Sequence, residues 1–174
     1  MNDVERFYAD HRDGVFRYLR RVVGATETAR DLTQEVFLRV SRAGVPDSTD
    51  TGRRAWVFRI ARNLALNHVR DVHRRPIIVE LGHAAVPPTQ ELSLALQRAI
   101  DGLPDNERDV FVLRESAGLS YQEIGSACEI PLETVRSRLH RARQTLREEL
   151  GRSLQLGGQG GVRCVPAGAN REDP

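Results

Sequence analysis

The first 75 residues carry apolar side chains at three- and four-residue steps, a spacing that predicts α-helices rather than strands. A first helix follows Phe7, Val15 and Leu19 and is expected to end at Gly24. A second helix, capped by Thr26, is expected to end near Gly44 and Pro46. The apolar stripe of this second helix is Ala29, Leu32, Val36, Phe37 and Val40.

A third helix is expected after the turn-forming residues 44–52, from about Arg53 to about Arg74, before Pro76. At about 1.5 Å per residue it would be about 30 Å long. Its predicted buried stripe is Trp56, Val57, Ile60, Ala61, Leu64, His68 or Val69, and Val72.

Regular spacing stops between residues 75 and 90, where three prolines and a glycine interrupt the chain, and it returns from Leu92. After Leu150 the sequence is rich in glycine and has few apolar side chains. The predicted fold class is therefore all-α. It consists of two small helical domains at residues 1–75 and 92–150, a flexible linker at 76–91 and a disordered C-terminal tail at 151–174.

The most specific pattern lies between residues 120 and 147. Ser120 and Glu123 form a capping box, which predicts a short helix, and Pro131 marks a turn before a second helix from about Leu132. The apolar stripe of the second helix is Val135, Leu139, Ala142 and Leu146. A short helix, a turn and a longer basic helix are typical of a helix-turn-helix that reads the major groove of DNA.

The net charge of +2 conceals an uneven distribution along the chain. Residues 53–75 carry 7 arginines against 1 acid and residues 136–152 carry 6 against 2, whereas residues 76–135 carry 3 against 10. Two basic segments on an acidic background indicate a polyanionic partner. We therefore expect acidic surfaces, or an inhibitory partner, to hold both basic helices in the isolated chain.

Composition and motifs exclude several classes of protein. No stretch approaches the roughly 18 apolar residues of a bilayer span, and early charges exclude a secretory signal. Cys128 and Cys164 lie 36 residues apart without a metal-site spacing, which favours a reducing cytoplasm. The sequence carries no phosphate-cradling glycine loop, nucleophile–base pattern or cluster of metal ligands. We expect no metal, no cofactor and no enzymatic activity.

Several blocks of sequence resemble one known family. GLSYQEIGSACEIPLETVRSRLHRARQTLREEL is similar to the minus-35-reading region 4.2 of sigma-70 family initiation factors, and LPDNERDVFVLRE is similar to region 4.1. DLTQEVFLRV resembles region 2.2, and RAWVFRIARNLALNHVRDVHRR resembles regions 2.3 and 2.4. With only these two domains on a short linker, the chain resembles an extracytoplasmic-function (group IV) sigma factor over about residues 3–150.

The resemblance implies a transcription initiation factor. Its expected partners are core RNA polymerase, promoter DNA and an anti-sigma factor, with no membrane insertion and no small-molecule substrate. The residues expected to recognise and melt the minus-10 element are Asn63, Asn67, Arg59, Arg62, Arg70 and Arg74, with Asn63 at the mouth of a base pocket. Those expected to read the minus-35 element are Thr134, Arg136, Ser137, His140, Arg141 and Arg143. Those expected to dock on the polymerase are Asp31, Gln34, Glu35, Phe37 and Leu38.

A stand-alone helix-turn-helix regulator is the alternative function. Such a regulator would share the motif of the second half, but it has no DLTQEVF block followed by a basic helix carrying Asn63 and Asn67. Single residues also have structural alternatives. Phe37 and Trp56 can both pack in the core, and Cys128 is expected as a small buried side chain.

Overall fold

The computed structural model describes residues 3–73 and 88–157, which form seven α-helices and no strand. The helices are α1 Asp3–Val23, α2 Thr26–Ala43, α3 Asp50–His73, α4 Pro88–Asp101, α5 Asp105–Glu115, α6 Tyr121–Cys128 and α7 Leu132–Gly157. The all-α fold class is confirmed. Arg74, residues 76–87 of the expected linker and residues 158–174, which include Cys164, lie outside the described residues.

Glycines end the first two helices as expected. Gly24 and Gly44 have φ angles of 78° and 75°, in the left-handed region that favours glycine. The backbone N–H of Gly44 donates to the carbonyl of Val40 at 2.9 Å, which closes the last turn of α2. The expected cap at Thr26 is wrong, because Thr26 is already helical and Ala25 precedes it in extended backbone, without a side-chain cap bond.

Helix α3 begins earlier than the sequence predicted. Thr49 caps it, since its Oγ1 accepts from the backbone N–H of Gly52 at 3.2 Å and its carbonyl accepts from the N–H of Arg53 at 2.8 Å. The connection between α2 and α3 is therefore confined to residues 44–49.

Two helices of the second half extend into segments that were expected to be irregular. Helix α4 begins at Pro88, inside the expected linker, and a proline is accepted in a first helical turn because its missing N–H is not needed there. Helix α7 continues past Leu150 to Gly157. Arg152 donates to Glu149 at 2.6 Å, a pair three residues apart that supports these added turns.

The capping box that opens α6 is confirmed. Ser120 Oγ accepts from the backbone N–H of Glu123 at 3.2 Å, and Glu123 Oε2 accepts from the N–H of Ser120 at 2.6 Å. Glu129 ends α6 with a left-handed φ of 56°, and α7 starts three residues later at Leu132. The stripe predicted for α7 is buried as expected: Val135, Leu139, Ala142 and Leu146.

One continuous apolar core joins the two halves of the chain. Helices α1 and α2 pack against α3, and so does α6 of the second half. Phe58 is buried with its ring 6.0 Å from that of Tyr18, although it lies outside the stripe predicted for α3. A helix contacted by both halves buries more than one stripe, so the single-stripe prediction was incomplete.

Within residues 3–73 and 88–157, no helix is both long enough and apolar enough to cross a bilayer.

Candidate nucleic-acid interface

The first two turns of α7 present an open polar face. Arg136, Ser137 and His140 are exposed, and Thr134 is half-buried beside them. Ser137 donates to the carbonyl of Thr134 at 3.0 Å, and Arg136 pairs with Glu133 of its own helix. The arrangement leaves one guanidinium, one hydroxyl and one imidazole at the surface, groups able to contact base edges in a major groove.

Two other arginines predicted for the minus-35 element form contacts within their own half of the protein. Arg141 Nε donates to Glu107 Oε1 at 2.9 Å, and Glu107 is buried. Arg143 donates to Glu115 at 3.2 Å and to the hydroxyl of Tyr121 at 3.5 Å, and the Tyr121 bond raises the pKa of Arg143. Arg141 and Arg143 therefore help to hold α5 and α6 against α7.

The structure divides the residues predicted for the minus-10 element between two surroundings. Asn63, Asn67 and Arg70 are exposed at positions i, i+4 and i+7 of α3, and so share one face. Arg59 and Arg62 instead meet acidic residues of the second half of the chain. Arg74 lies outside the described residues.

A partly buried polar cluster around Asp109 joins α3 and α1 to the second half. Arg62 Nε donates to Asp109 Oδ2 at 2.5 Å, and the Tyr18 hydroxyl donates to Asp109 Oδ1 at 3.4 Å. Cys128 Sγ lies 3.9 Å from Asp109 Oδ2. Burial, followed by the charge of Asp109, raises the pKa of Cys128 to about 12 and that of Tyr18 well above its usual value.

Two further arginines of α3 cross between the halves. Arg54 donates to the carbonyl of Ala117 at 2.7 Å and lies 3.5 Å from the buried carboxylate of Glu123. Arg59 pairs with Glu129 at 3.1 Å. We call these contacts the interdomain seam. It consists of three arginines and their acceptors: Arg54 with Ala117 and Glu123, Arg59 with Glu129, and Arg62 with Asp109.

The sequence predicted the interdomain seam only in part. The sequence indicated that acidic surfaces would hold both basic helices, and at α3 the acceptors do come from the acidic segment 76–135. At α7, acids of the same segment pair with Arg136, Arg141 and Arg143, but Arg136, Ser137 and His140 remain exposed, so this chain's own acidic residues do not cover that face. Sequence reasoning also missed Asp109, Glu123 and Glu129, whose one signal was the reversal of charge between residues 53–75 and 76–135.

The face of α2 predicted to dock on polymerase is partly available. Asp31, Gln34 and Leu38 are exposed, and half of the Leu38 surface is open to solvent. Glu35 pairs with Arg39 of the next turn at 2.7 Å. Phe37 corrects the prediction, because it is buried in the core with its ring 4.7 Å from that of Tyr8. The Phe37 side chain therefore packs in the core beneath this face.

Two other residues with competing interpretations now have defined surroundings. Trp56 is partly buried against the core, with its ring 6.3 Å from Phe7, as expected for a packing residue. Cys128 is half-buried at the interdomain seam, and no group of three or more potential metal ligands occurs in the described ranges.

Comparison with known proteins supplies the family. The sequence matches the family model for sigma-70 region 2 over residues 7–75 and the model for sigma-70 region 4 over residues 93–146. It is 40% identical over 153 residues to the ECF RNA polymerase sigma factor SigE of Mycolicibacterium smegmatis, an alignment covering 82% of this chain and 59% of SigE. It is 32% identical over 162 residues to SigW of Bacillus subtilis, covering 80% of this chain and 84% of SigW.

Two solved structures share the fold. CnrH, in complex with the cytosolic domain of CnrY, superposes with a TM-score of 0.63 at 24% identity, over 90% of this chain and 89% of CnrH. The sigma factor RpoE of Bartonella quintana, in complex with the anti-sigma factor NepR, superposes with a TM-score of 0.65 at 20% identity, over 87% and 98% of the two chains.

The alternative of a stand-alone helix-turn-helix regulator would account for the match to region 4 alone. It leaves the match over residues 7–75 and the two-domain alignment with SigW unexplained. This chain therefore belongs to the extracytoplasmic-function group of the sigma-70 family of RNA polymerase sigma factors.

Proposed function

We propose that this chain is a promoter-specificity factor. It binds core RNA polymerase, recognises minus-35 and minus-10 elements and promotes DNA melting. The observation that carries the proposal is the pairing of two arginine-bearing helices, α3 and α7, in two halves that match sigma-70 regions 2 and 4. The factor acts without catalytic activity of its own, in the cytoplasm where the polymerase transcribes.

The minus-35 element is read by the open face of α7. Arg136, Ser137 and His140 contact base edges, because they are exposed on the leading turns, as the first residues of a recognition helix must be. Thr134 supports Ser137 through its carbonyl. Arg141 and Arg143 contribute phosphate contacts from guanidinium nitrogens that their bonds to Glu107 and Glu115 leave free, and these bonds fix the approach of both side chains.

The minus-10 element is engaged by α3 in two steps. Asn63, Asn67 and Arg70 are exposed and reach the DNA first. An amide can donate and accept at a base edge, so Asn63 and Asn67 hold a base that leaves the stack. Arg59 and Arg62 bind the strand backbone only after they leave Glu129 and Asp109. Arg74, which lies outside the described residues, is proposed to bind the same strand backbone.

The exposed side chains of α2 dock on the polymerase. Asp31 and Gln34 offer hydrogen-bond acceptors beside the half-exposed Leu38, and Glu35 adds charge next to Arg39. An acidic surface with one apolar side chain at its centre suits a basic partner surface. Phe37 positions this face from the core beneath it.

The closed arrangement makes DNA binding conditional. Arg54, Arg59 and Arg62 are engaged by acceptors of the second half, so the isolated chain binds promoter DNA weakly. Core polymerase separates the two halves and frees these arginines, whereas an anti-sigma factor keeps them engaged. These acceptors belong to the same chain and therefore compete with DNA phosphates for the arginines of α3.

Sequencing the transcripts made by core polymerase with this chain tests the proposal. We expect start sites that align on two shared upstream elements. An Arg136→Ala variant should lose or change the upstream element, whereas Arg147→Ala, an exposed arginine of the same helix, should keep both. Random initiation, or no transcript from any template in a promoter library, would contradict the proposed function.

A further inference from the structure

A cavity of about 910 Å³ lies where the two halves of the chain meet, beside the end of α1 and the turn after α5. Four arginines line it, Arg17, Arg20, Arg21 and Arg54, against a single carboxylate, Glu115. That carboxylate is itself paired with Arg143 at 3.2 Å. The walls therefore carry a large excess of positive charge.

One of these arginines lacks an adequate counterion. Arg21 Nη1 is 3.8 Å from Asp101 Oδ1, beyond hydrogen-bond distance, and its Nη2 is buried without a hydrogen-bond partner in the described chain. Burial lowers the pKa of Arg21. An anion in the cavity stabilises this partly buried guanidinium through its charge, and not through a hydrogen bond to the inaccessible Nη2.

Two further guanidinium groups are available to an occupant. Arg17 uses only its Nε, which donates to the carbonyl of Ser116 at 3.4 Å. The exposed side chain of Arg20 makes no hydrogen bond or ion pair within the described ranges. Arg54 is held by Ala117 and Glu123 and contributes charge to the wall. Guanidinium forks bind phosphate oxygens in pairs, and about 300–1000 Å³ is the usual size of a small-molecule site.

We propose that this cavity binds a small, multiply charged phosphate anion: a chain of two or three phosphoryl groups, either inorganic or carried by a nucleotide. The charge of the walls requires an anion, and the volume admits an oligophosphate with or without a nucleoside. Several separate guanidinium groups favour an anion with several phosphoryl groups over a single one.

The same site has a regulatory consequence, which rests on the proposed function. Its walls come mainly from α1 and α3 in the first half, and from Gln97 and residues 115–118 in the second. A ligand that contacts both walls binds the closed arrangement in preference to an open one and shifts the population toward it. The occupied cavity therefore keeps the α3 arginines away from promoter DNA.

Isothermal titration calorimetry of the full chain, without polymerase, tests the site with tripolyphosphate and ATP as probes at constant ionic strength. We expect saturable binding at one site. The double variant Arg17→Ala/Arg20→Ala should weaken it at least tenfold. The matched double variant Arg6→Ala/Arg12→Ala removes the same charge from exposed positions of α1 outside the cavity, and should change affinity less than twofold.

The relative affinity of the two probes distinguishes the sources of the phosphate. Tighter binding of tripolyphosphate indicates an inorganic chain, and tighter binding of ATP indicates a nucleotide; both results support the site. The proposal would be overturned if the two double variants lost the same amount of affinity. It would also be overturned if sodium sulfate, at the same ionic strength, gave the same binding heats as tripolyphosphate. Hydrogen exchange on the unaltered chain gives a second measurement. Tripolyphosphate should slow the exchange of the backbone amides of residues 115–118, and no slowing would contradict the site.

The two-sided nature of the site is tested by Asp109→Ala, which removes a contact between the halves but no lining residue. We expect this variant to bind tripolyphosphate several-fold more weakly than the unaltered chain. Unchanged affinity would contradict a site built from both walls. Promoter opening by core polymerase with this chain, followed by permanganate footprinting without nucleoside triphosphates or tripolyphosphate, reports on the proposed function separately, so failure of one proposal is distinguishable from failure of the other.

Discussion

Helices α3 and α7 both carry several arginines, but these arginines meet different partners. Arg54, Arg59 and Arg62 of α3 bond to residues 47 to 70 positions away, in the other half of the chain. Arg141 and Arg143 of α7 bond within their own half, and Arg136 pairs one turn away. This difference shows that a basic helix is available to DNA only where its arginines are not already bonded to distant parts of the protein.

The cost of freeing each helix also differs. Arg62 and Asp109 are 23% and 10% exposed, so their separation breaks a largely buried pair. Arg136 and Glu133 are 54% and 78% exposed, and exposed pairs of this kind contribute at most about 1 kcal/mol. Under the proposed function, the face of α7 is therefore ready to bind DNA, whereas Arg59 and Arg62 of α3 first have to be released from their acidic partners.

The largest expected effect comes from Asp109→Ala. This change leaves Arg62 without its carboxylate at the interdomain seam, and loss of one partner of a buried pair costs about 3 kcal/mol or more. The population of the open form, relative to the closed form, should therefore rise by about 100-fold in the isolated chain. Fluorescence anisotropy with a single-stranded minus-10 oligonucleotide should show a corresponding gain in affinity.

Glu129→Ala is the matched control for that experiment. Arg59 and Glu129 are 41% and 72% exposed, so solvent already screens their pair. We expect the affinity for the same oligonucleotide to change by about twofold or less. Equal effects of the two substitutions would contradict the difference in burial on which the comparison rests.

Arg136→Ala should produce the next largest effect, on the open helix. Loss of a bidentate contact to a guanine costs about 1 to 3 kcal/mol of minus-35 duplex affinity and relaxes base preference at one position. A uniform loss over all sequences would instead indicate phosphate contact. The thermal unfolding midpoint should stay unchanged, because the pair of Arg136 with Glu133 is exposed and contributes little to stability.

Arg141→Ala provides the contrasting result on the same helix. It removes the bond to the buried Glu107, so we expect the free energy of unfolding to fall by about 1 kcal/mol. Urea denaturation measures this change. An Arg136→Ala variant destabilised as much as Arg141→Ala would show that the two arginines have the same role.

Asn63→Ala should slow strand opening by about tenfold while sparing the closed complex with duplex DNA. The amide is exposed on α3 and makes its contact only when a base leaves the stack, so its loss raises the opening barrier by about 1 to 1.5 kcal/mol. Permanganate footprinting follows the opening. Asn106→Ala, an exposed asparagine of α5, should leave the rate unchanged, and slowing by both variants would contradict the assignment.

The last prediction concerns the dependence of stability on pH. Burial at the interdomain seam raises the pKa of Cys128 from 9.0 to about 12, so the folded chain favours the neutral thiol. This contribution to stability is complete below pH 9 and is lost progressively as the pH rises from 9 toward 12, because the unfolded thiol ionises first.

Between pH 8 and pH 10 we therefore expect a loss of about 1 kcal/mol in the free energy of unfolding. A Cys128→Ala variant should lose less over the same interval, because it has no thiol to ionise at the interdomain seam. Urea denaturation at each pH measures both chains. Parallel stability curves for the two chains would show that the thiol is not held in its neutral form.

Much of the fold could be predicted because its signals are local. The capping box at Ser120, the glycines at 24 and 44 and the apolar stripe of α7 each act within a few residues of chain. The errors were local as well. Thr49 rather than Arg53 opens α3, because a side-chain cap lay inside a segment dominated by turn-forming residues.

The candidate site was less predictable. The exposed positions Asn63, Arg136 and Ser137 follow from helical spacing relative to the apolar stripes. The engagement of Arg62 by Asp109 does not, since the two residues are 47 positions apart and belong to different helices. Phe58 shows the same limit, because its burial depends on contacts from both halves of the chain.

By itself, the sequence determined the all-α fold class, the helix-turn-helix and the sigma-70 resemblance, since periodicity, caps and motif spacing are properties of neighbouring residues. Only the tertiary structure decided which arginines are open to DNA and which are engaged at the interdomain seam. The physical reason is that an ion pair between distant residues forms only when the packing of apolar surfaces brings them together, here that of α6 against α3.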